Sequence, residues 1–218
     1  MTDFAVARRM MVDCQVRTND VTDPRIIGAM LELPRELFVR AKDKAFAYLD
    51  LDVPVSEPAR YLLKPMVLAR MVQAAQVRDA DCVLDVGCAT GYSSALLARL
   101  ASSVVALEED IALAELAKAN LAKLAPGKAT VVRGSLVQGW PPHSPYDVIF
   151  LNGASEVVPH ALLAQLKNEG RLIALIGRSP MRRAMLYRSV AGEVSGWPAF
   201  DAAAPVLPGF AAPAEFVF

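Results

Sequence analysis

Hydrophobic and polar positions follow a helical period in the first third of the chain. A helix is predicted to begin at Asp23-Pro24, because proline is tolerated in a first turn and apolar residues recur at helical spacing from there to Leu33. The same spacing predicts a second helix over residues 66–76. Prolines punctuate the stretch between them, so residues 45–65 are predicted to form a loop.

From residue 81 the pattern changes to short apolar runs that alternate with helical segments. The apolar runs predict strands over residues 82–86, 104–107, 129–133, 148–151 and 171–176. Helical spacing predicts helices over residues 92–100, 111–124 and 159–166. Late strands are expected at residues 185–190 and 216–218, and residues 197–213 are left unassigned.

This alternating order predicts a protein of the α/β class with a mainly parallel, doubly wound sheet and helices on both faces. The length of 218 residues fits one structural domain. We expect residues 1–80 to form a helical and loop extension that packs on a core formed by residues 81–218.

Composition narrows the function classes. Lys and Arg number 23, as do Asp and Glu, so the formal net charge is zero and nothing indicates nucleic acid or an anionic membrane as a partner. The start lacks a signal-peptide pattern, and three cysteines match no zinc spacing, so a reducing, cytoplasmic location without a metal is expected. Only two histidines are present, which disfavours a serine-type triad. The oligomeric state stays open.

The most informative segment joins the predicted strand 82–86 to the next helix. Its residues are Asp85, Val86, Gly87, Cys88, Ala89, Thr90, Gly91 and Tyr92. Glycines let the backbone approach a ligand and take positive φ, and a helix start presents free N–H donors. Such a loop lies at the carboxyl ends of the strands, where open α/β sheets bind ligands.

The identity of that ligand depends on charge. A dinucleotide loop has the pattern G-x-G-x-x-G, whereas Ala89 stands where the middle glycine would be. Asp85 would repel a pyrophosphate but would favour a cation. Glu108 ends the next strand, 21 residues after Gly87, at a position where acidic residues bind ribose hydroxyls. Together these features favour S-adenosylmethionine, which carries an ammonium, a sulfonium and no phosphate.

Less specific explanations exist for each feature. A G-x-x-x-G segment after a strand is often only a tight turn, and Glu108 could be an acid favoured by the dipole at a helix N-terminus. Cys88 is interpreted as a small loop residue near the ligand rather than as a nucleophile. Asn152 could orient a substrate from its strand end, or it could be a turn residue before Gly153.

These residues, together with others along most of the chain, resemble the protein-L-isoaspartate O-methyltransferases. The matching segments are 23–30 (DPRIIGAM), 33–39 (LPRELFV), 47–50 (AYLD), 83–97, 139–140 (GW), 145–149 (PYDVI), 165–167 (QLK) and 170–172 (GRL). The resemblance implies a Rossmann-like methyltransferase fold and S-adenosylmethionine as cofactor. It places residues 85–92, Glu108, Glu109, Ser135 and Leu136 in the cofactor site.

Two positions depart from the family's pattern. Leu63 stands where the family carries a serine implicated near the reacting carboxylate, and Ser135-Leu136 replaces an Asp-Gly pair that contacts adenine. Weak or absent isoaspartyl methylation is therefore expected.

Three functions follow from these observations. The first is a methyltransferase acting on a carboxylate or another ionised group, in a peptide, a protein or a small molecule, with Leu63 and Asn152 at the reacting centre. The second is a cofactor-binding module without catalysis. The third is an NAD-dependent oxidoreductase, which Asp85 and Ala89 disfavour.

Overall fold

The computed structural model describes residues 3–57, 60–178 and 182–213. The strand expected at residues 216–218 lies outside these ranges. Within them, every helix is too short or too polar to cross a bilayer.

Six α-helices and nine strands, with short 3₁₀- and π-helical segments between some of them, follow one another along the described chain. The helices are α1 (Phe4–Met11), α2 (Pro24–Glu32), α3 (Pro65–Ala74), α4 (Tyr92–Leu97), α5 (Ile111–Leu124) and α6 (His160–Leu163). The strands are β1 (Val53–Ser56), β2 (Arg60–Leu62), β3 (Cys82–Val86), β4 (Ser103–Glu108), β5 (Ala129–Arg133), β6 (Tyr146–Ser155), β7 (Leu166–Ile176), β8 (Arg183–Val190) and β9 (Glu193–Asp201).

Seven of these strands form one sheet in the order β5-β4-β3-β6-β7-β8-β9. The pairs from β5 to β7 are parallel, and β8 and β9 are antiparallel additions. The strand order reverses at β3, which has β4 on one side and β6 on the other. The predicted parallel, doubly wound sheet is therefore confirmed, and its switch point lies between β3 and β6.

The two faces of the sheet are covered differently. Alternate strand residues enter two separate buried clusters, as the two-residue period of a strand requires. The first cluster contains side chains from α1 to α5, so the N-terminal helices and the sheet share one core. The second cluster is closed by α6, by the turn Leu136–Gln138 and by Leu207 and Phe210. The helix predicted at 159–166 is only four residues long, because β7 already begins at Leu166.

Two other expectations need correction, and one segment that was left unassigned has a defined structure. Residues 45–65 do not form only a loop, since β1 and β2 pair as an antiparallel hairpin whose buried and half-buried residues alternate. β6 continues past residue 151 to Ser155, so Asn152-Gly153 lies inside a strand. Residues 197–201 belong to β9, and a segment from 202 to 213 then runs back beside β6.

Arg35 connects the N-terminal region to the hairpin from a fully buried position. Its Nε donates to the carbonyl of Ala47 at 2.6 Å and its Nη2 to the carbonyl of Leu63 at 2.7 Å. The guanidinium carbon lies 4.8 Å from the ring centroid of Tyr92, the first residue of α4. Burial lowers the pKa of Arg35. One planar cation thus joins three separate segments.

We expect Arg35→Lys to lower the free energy of unfolding by about 2–3 kcal/mol, because an ammonium cannot reproduce the forked hydrogen bonds or the stacking. Urea denaturation checks this. Arg188→Lys is the control, because Arg188 makes an exposed ion pair with Glu169 and should change stability by less than ~0.5 kcal/mol. Equal effects of the two substitutions would contradict the role of Arg35.

Candidate functional site

The loop of residues 87–91 between β3 and α4, here called the glycine loop, is a tight turn with three positive φ angles. These are 78° at Gly87, 51° at Ala89 and 95° at Gly91. The N–H groups of Gly87 and Cys88 both donate to the carbonyl of Leu107 on β4. At Gly91 a Cβ would lie 3.2 Å from the side chain of Leu121 on α5, so glycine is required there for packing as well as for φ. At Ala89 the left-handed conformation costs about 1 kcal/mol.

Asp85 lies beneath this loop and is fully buried. Its Oδ2 accepts hydrogen bonds from the Ser93 hydroxyl at 2.6 Å and the Ser94 hydroxyl at 2.5 Å. Burial raises the pKa of Asp85 to about 6, although the two hydroxyls act in the opposite direction. Its Oδ1 has no hydrogen-bond partner among the described residues. This carboxylate therefore retains the capacity to bind a cation.

Glu108 ends β4 and is also fully buried. It accepts from the backbone N–H groups of Ala89 at 2.8 Å, Glu109 at 3.0 Å and Asp110 at 3.2 Å. Its two oxygens also accept from Arg60, with Oε1 to Nη1 at 2.6 Å and Oε2 to Nη2 at 2.9 Å. Glu108 thus binds both the glycine loop and the backbone that leads into α5.

The structure brings the two acidic strand ends together. β3 and β4 pair in parallel with Asp85 opposite Ala106, so Glu108 ends the strand adjacent to that of Asp85. Burial raises the pKa of the Cys88 thiol well above its ordinary value, and the charges of Asp85 and Glu108 raise it further. A buried thiol with a raised pKa is a poor nucleophile, which agrees with the interpretation of Cys88 as a small loop residue.

The side chains of Thr90 and Tyr92 contact the N-terminal region. The Thr90 hydroxyl donates to the carbonyl of Phe38 at 2.6 Å. The Tyr92 ring packs edge-on against Phe38, with 5.2 Å between the ring centroids. These contacts fix the loop from behind, and a cofactor contact by either residue stays a prediction.

Leu63 and Asn152 line the same small cavity, together with Arg60, Gly153 and Leu207. The Asn152 amide nitrogen donates to the carbonyl of Gly87 at 3.1 Å and to the Ser93 hydroxyl at 3.0 Å. Asn152 therefore ties β6 to the glycine loop, and its predicted role in orienting a substrate stays a prediction.

The remaining predicted residues, Glu109, Ser135 and Leu136, differ in exposure. Glu109 and Ser135 are exposed, whereas Leu136 is buried in the second core cluster. The N–H of Gly134 donates to the carbonyl of Glu108 at 3.2 Å, which places the turn of Ser135 beside the end of β4.

Arg60 and Leu207 are site residues that were not named individually from the sequence. Both lie in segments to which no element was assigned, and neither belongs to a motif. The only local signal was an arginine within a short apolar run, and that signal is weak. Within the described ranges, no cluster of three His, Cys, Asp or Glu side chains could hold a metal.

We expect Asp85 to make the free energy of unfolding increase as the pH falls. Its folded-state pKa of about 6 exceeds the ordinary value of 3.8, so the folded state gains stability as pH falls from about 6 to about 4. Asp85→Asn should remove this dependence and raise the free energy of unfolding at pH 7 by ~2–3 kcal/mol. Urea denaturation between pH 4 and pH 7.5 measures it.

Asp147→Asn is the matched control. At Asp147 burial is outweighed by hydrogen bonds from the Cys82 N–H and Lys167, and the pKa is lowered. Its contribution to stability is present above the ordinary pKa and lost as pH falls through the lowered value, which is the opposite sign. If both variants changed the pH profile in the same direction, the buried state of Asp85 would be wrong.

Comparison with known proteins shows which family this chain is similar to. Residues 7–197 match the family model described as protein-L-isoaspartate(D-aspartate) O-methyltransferase. The protein-L-isoaspartate O-methyltransferase of Koribacter versatilis is 36% identical over 194 residues, which cover 89% of this chain and 87% of the relative. That of Methanoculleus marisnigri is 38% identical over 170 residues, covering 78% and 77%.

Solved structures of proteins with this description have a similar fold. A protein-L-isoaspartate O-methyltransferase superposes with a TM-score of 0.81 at 27% identity, covering 93% of this chain and 66% of that one. A Plasmodium falciparum protein of the same description, in complex with S-adenosyl-L-homocysteine, has a TM-score of 0.77 at 17% identity and shares the fold, with coverage of 92% and 97%.

Proposed function

Because the chain belongs to the protein-L-isoaspartate O-methyltransferase family, we propose that it transfers a methyl group from S-adenosylmethionine to a carboxylate or another acceptor already ionised at neutral pH. The family and the methyltransferase class expected from the sequence are confirmed by the comparisons. The acceptor and the roles of individual residues are the subject of the proposal.

One observation carries the cofactor assignment to this site. Asp85 Oδ1 is a buried carboxylate oxygen without a partner among the described residues. A buried oxygen of this kind costs free energy unless a donor reaches it, and a ligand ammonium is the strongest donor available. A pyrophosphate would be repelled by Asp85 and by Glu108. The residues therefore fit a cationic nucleoside.

Glu108 is suited to the ribose. Two neighbouring hydroxyls can donate to its two oxygens, as the two N–H groups of Arg60 do in this structure. The hydrogen bonds that Glu108 accepts from three backbone N–H groups hold its carboxylate in a fixed orientation.

The proposed methyl transfer requires neither a general acid nor a general base from the protein. S-adenosylmethionine supplies a methyl group on a sulfonium that leaves as a neutral thioether, so no general acid is required. An acceptor carboxylate is ionised at pH 7 and needs no base. Both histidines, His143 and His160, are exposed and lie outside the site. The protein contributes positioning and the exclusion of water.

Leu63 leaves the proposed acceptor side of the site without a hydrogen-bond donor at this position. Its side chain is buried beside Asn152 and cannot donate a hydrogen bond. Its backbone carbonyl accepts from Arg35, which fixes the position of the segment that begins α3. An isoaspartyl carboxylate would lose the hydroxyl that the family's pattern places there, so a different ionised acceptor is favoured. The alternative is a binding module without turnover, which the same Leu63 favours.

We expect S-adenosylhomocysteine at about 100 times its Kd to raise the Tm by roughly 5–10 °C, and Asp85→Ala to abolish the shift. The affinity should fall about tenfold from pH 7 to pH 5, because Asp85 loses its charge near its pKa of about 6. Thermal melting and calorimetry measure both quantities.

Two controls isolate the role of Asp85. 5′-Methylthioadenosine has no ammonium, so its affinity should not depend on pH in this range. Asp201→Ala removes an exposed carboxylate paired with Arg183 and should leave binding unchanged. If millimolar S-adenosylhomocysteine gave no shift and no heat, the cofactor assignment would fail.

We expect weak methylation of an isoaspartyl peptide and a gain of at least tenfold in kcat/KM with Leu63→Ser, because the hydroxyl restores a hydrogen bond worth about 1.4 kcal/mol to the reacting carboxylate. Transfer of a radiolabelled methyl group measures the rate, with Leu63→Ala as the control for size. Robust turnover by the unchanged protein would overturn this assignment of Leu63. No turnover by any variant, with cofactor binding intact, would favour the binding module.

A further inference from the structure

We propose that Arg60 and Leu207 form a gate over the cofactor pocket, so that binding requires the ligand's hydroxyls to replace Arg60 on Glu108 and Leu207 to withdraw from between two glycines. The gate rests on the proposed function, since it acts on the nucleoside end of the cofactor. It assigns to these two residues the control of cofactor affinity.

Arg60 uses the oxygens that a ribose needs. Its guanidinium makes a two-pronged ion pair with Glu108, and its side chain is only 8% exposed. A Cβ on Gly87 would lie 3.1 Å from Arg60 Nη2, so the guanidinium also lies against the glycine loop. A ligand that approaches both Gly87 and Glu108 must displace this side chain.

Glu108 can tolerate the exchange. Three backbone N–H groups remain bonded to it when Arg60 leaves, so the carboxylate is not stranded without partners. Arg60 lies in the hairpin of β1 and β2 at the edge of the pocket, and outward rotation would return its charge to water. The broken ion pair is a cost that is subtracted from the intrinsic affinity of the ligand.

Leu207 fills the crevice at the switch point of the sheet. A Cβ on Gly153 of β6 would lie 2.6 Å from Leu207 Cγ, and a Cβ on Gly87 would lie 3.1 Å from Leu207 Cδ2. The side chain therefore sits between the ends of β3 and β6, where doubly wound sheets bind ligands.

Backbone hydrogen bonds hold Leu207 in this position. Its N–H donates to the carbonyl of Ala154 at 2.9 Å, and the N–H of Ala154 donates to the carbonyl of Pro205 at 2.9 Å. The segment 205–210 thus lies along β6 as a short strap, with Phe210 buried in the second core cluster. Leu207 is separate in sequence from Arg60, yet both contact the open side of Gly87.

The test is titration calorimetry of the full chain with S-adenosylhomocysteine and with 5′-methylthioadenosine. Arg60→Gln removes the ion pair with Glu108 but keeps a polar side chain, and Leu207→Ala clears the crevice without removing the ion pair. We expect each variant to lower the Kd of both ligands at least fivefold. Arg188→Gln and Leu116→Ala, at exposed positions, are the matched controls and should stay within twofold of the unchanged protein.

The outcomes separate the gate from the proposed function. The gate is overturned if the unchanged protein binds the ligands and Arg60→Gln and Leu207→Ala bind them with equal or lower affinity. The proposed function is unaffected by that result. No binding of either ligand by any variant, with thermal melting showing that each is folded, overturns both. If Arg60→Gln does not fold, Leu207→Ala decides alone.

Discussion

Two carboxylates buried at the carboxyl ends of adjacent strands are the constraint on which this site depends. Asp85 and Glu108 are fully buried, and ionised groups in such positions are costly unless they are hydrogen-bonded. The chain satisfies Asp85 in part, through two serine hydroxyls on α4, and its pKa remains raised to about 6. It satisfies Glu108 completely, through three backbone N–H groups and Arg60. The left-handed turn at Ala89 is what lets its N–H point at Glu108.

Much of the fold could be predicted because its elements carry their own periodic signal. The predicted bounds of α5 and β5 match the structure at both ends, since a 14-residue helix and a short apolar run bounded by turns are locally specified. β6 was cut short, because Asn152-Gly153 is a common turn pair while pairing with neighbouring strands continues the extended conformation. β9 was missed because nearly all its residues are exposed, which leaves no pattern of burial to detect.

The candidate site divides in the same way. Asp85 and Glu108 could be found because strand ends are predictable and parallel strands bring their ends together. The direction of the side chains of Thr90 and Tyr92 could not, because spacing in a loop does not show which side meets Phe38. Arg60 lies 48 residues before Glu108, and nothing local to either position specifies that ion pair. Long-range partners of this kind follow from the packed fold and not from a motif.

Arg60 binds the same two oxygens of Glu108 that a ligand would have to reach in the proposed gate. Arg60 adds two charged donors to the backbone N–H groups that already bind both oxygens of Glu108, so the ion pair completes the hydrogen bonding of this carboxylate. In the proposed gate this ion pair breaks when ribose hydroxyls bind Glu108, so the free energy that it contributes without ligand is subtracted from the affinity. Leu207 acts through apolar contact, since its side chain lies against both Gly87 and Gly153. Leu63 extends this apolar lining. The proposed methyl transfer requires positioning and the exclusion of water rather than a base, and apolar side chains are suited to excluding water.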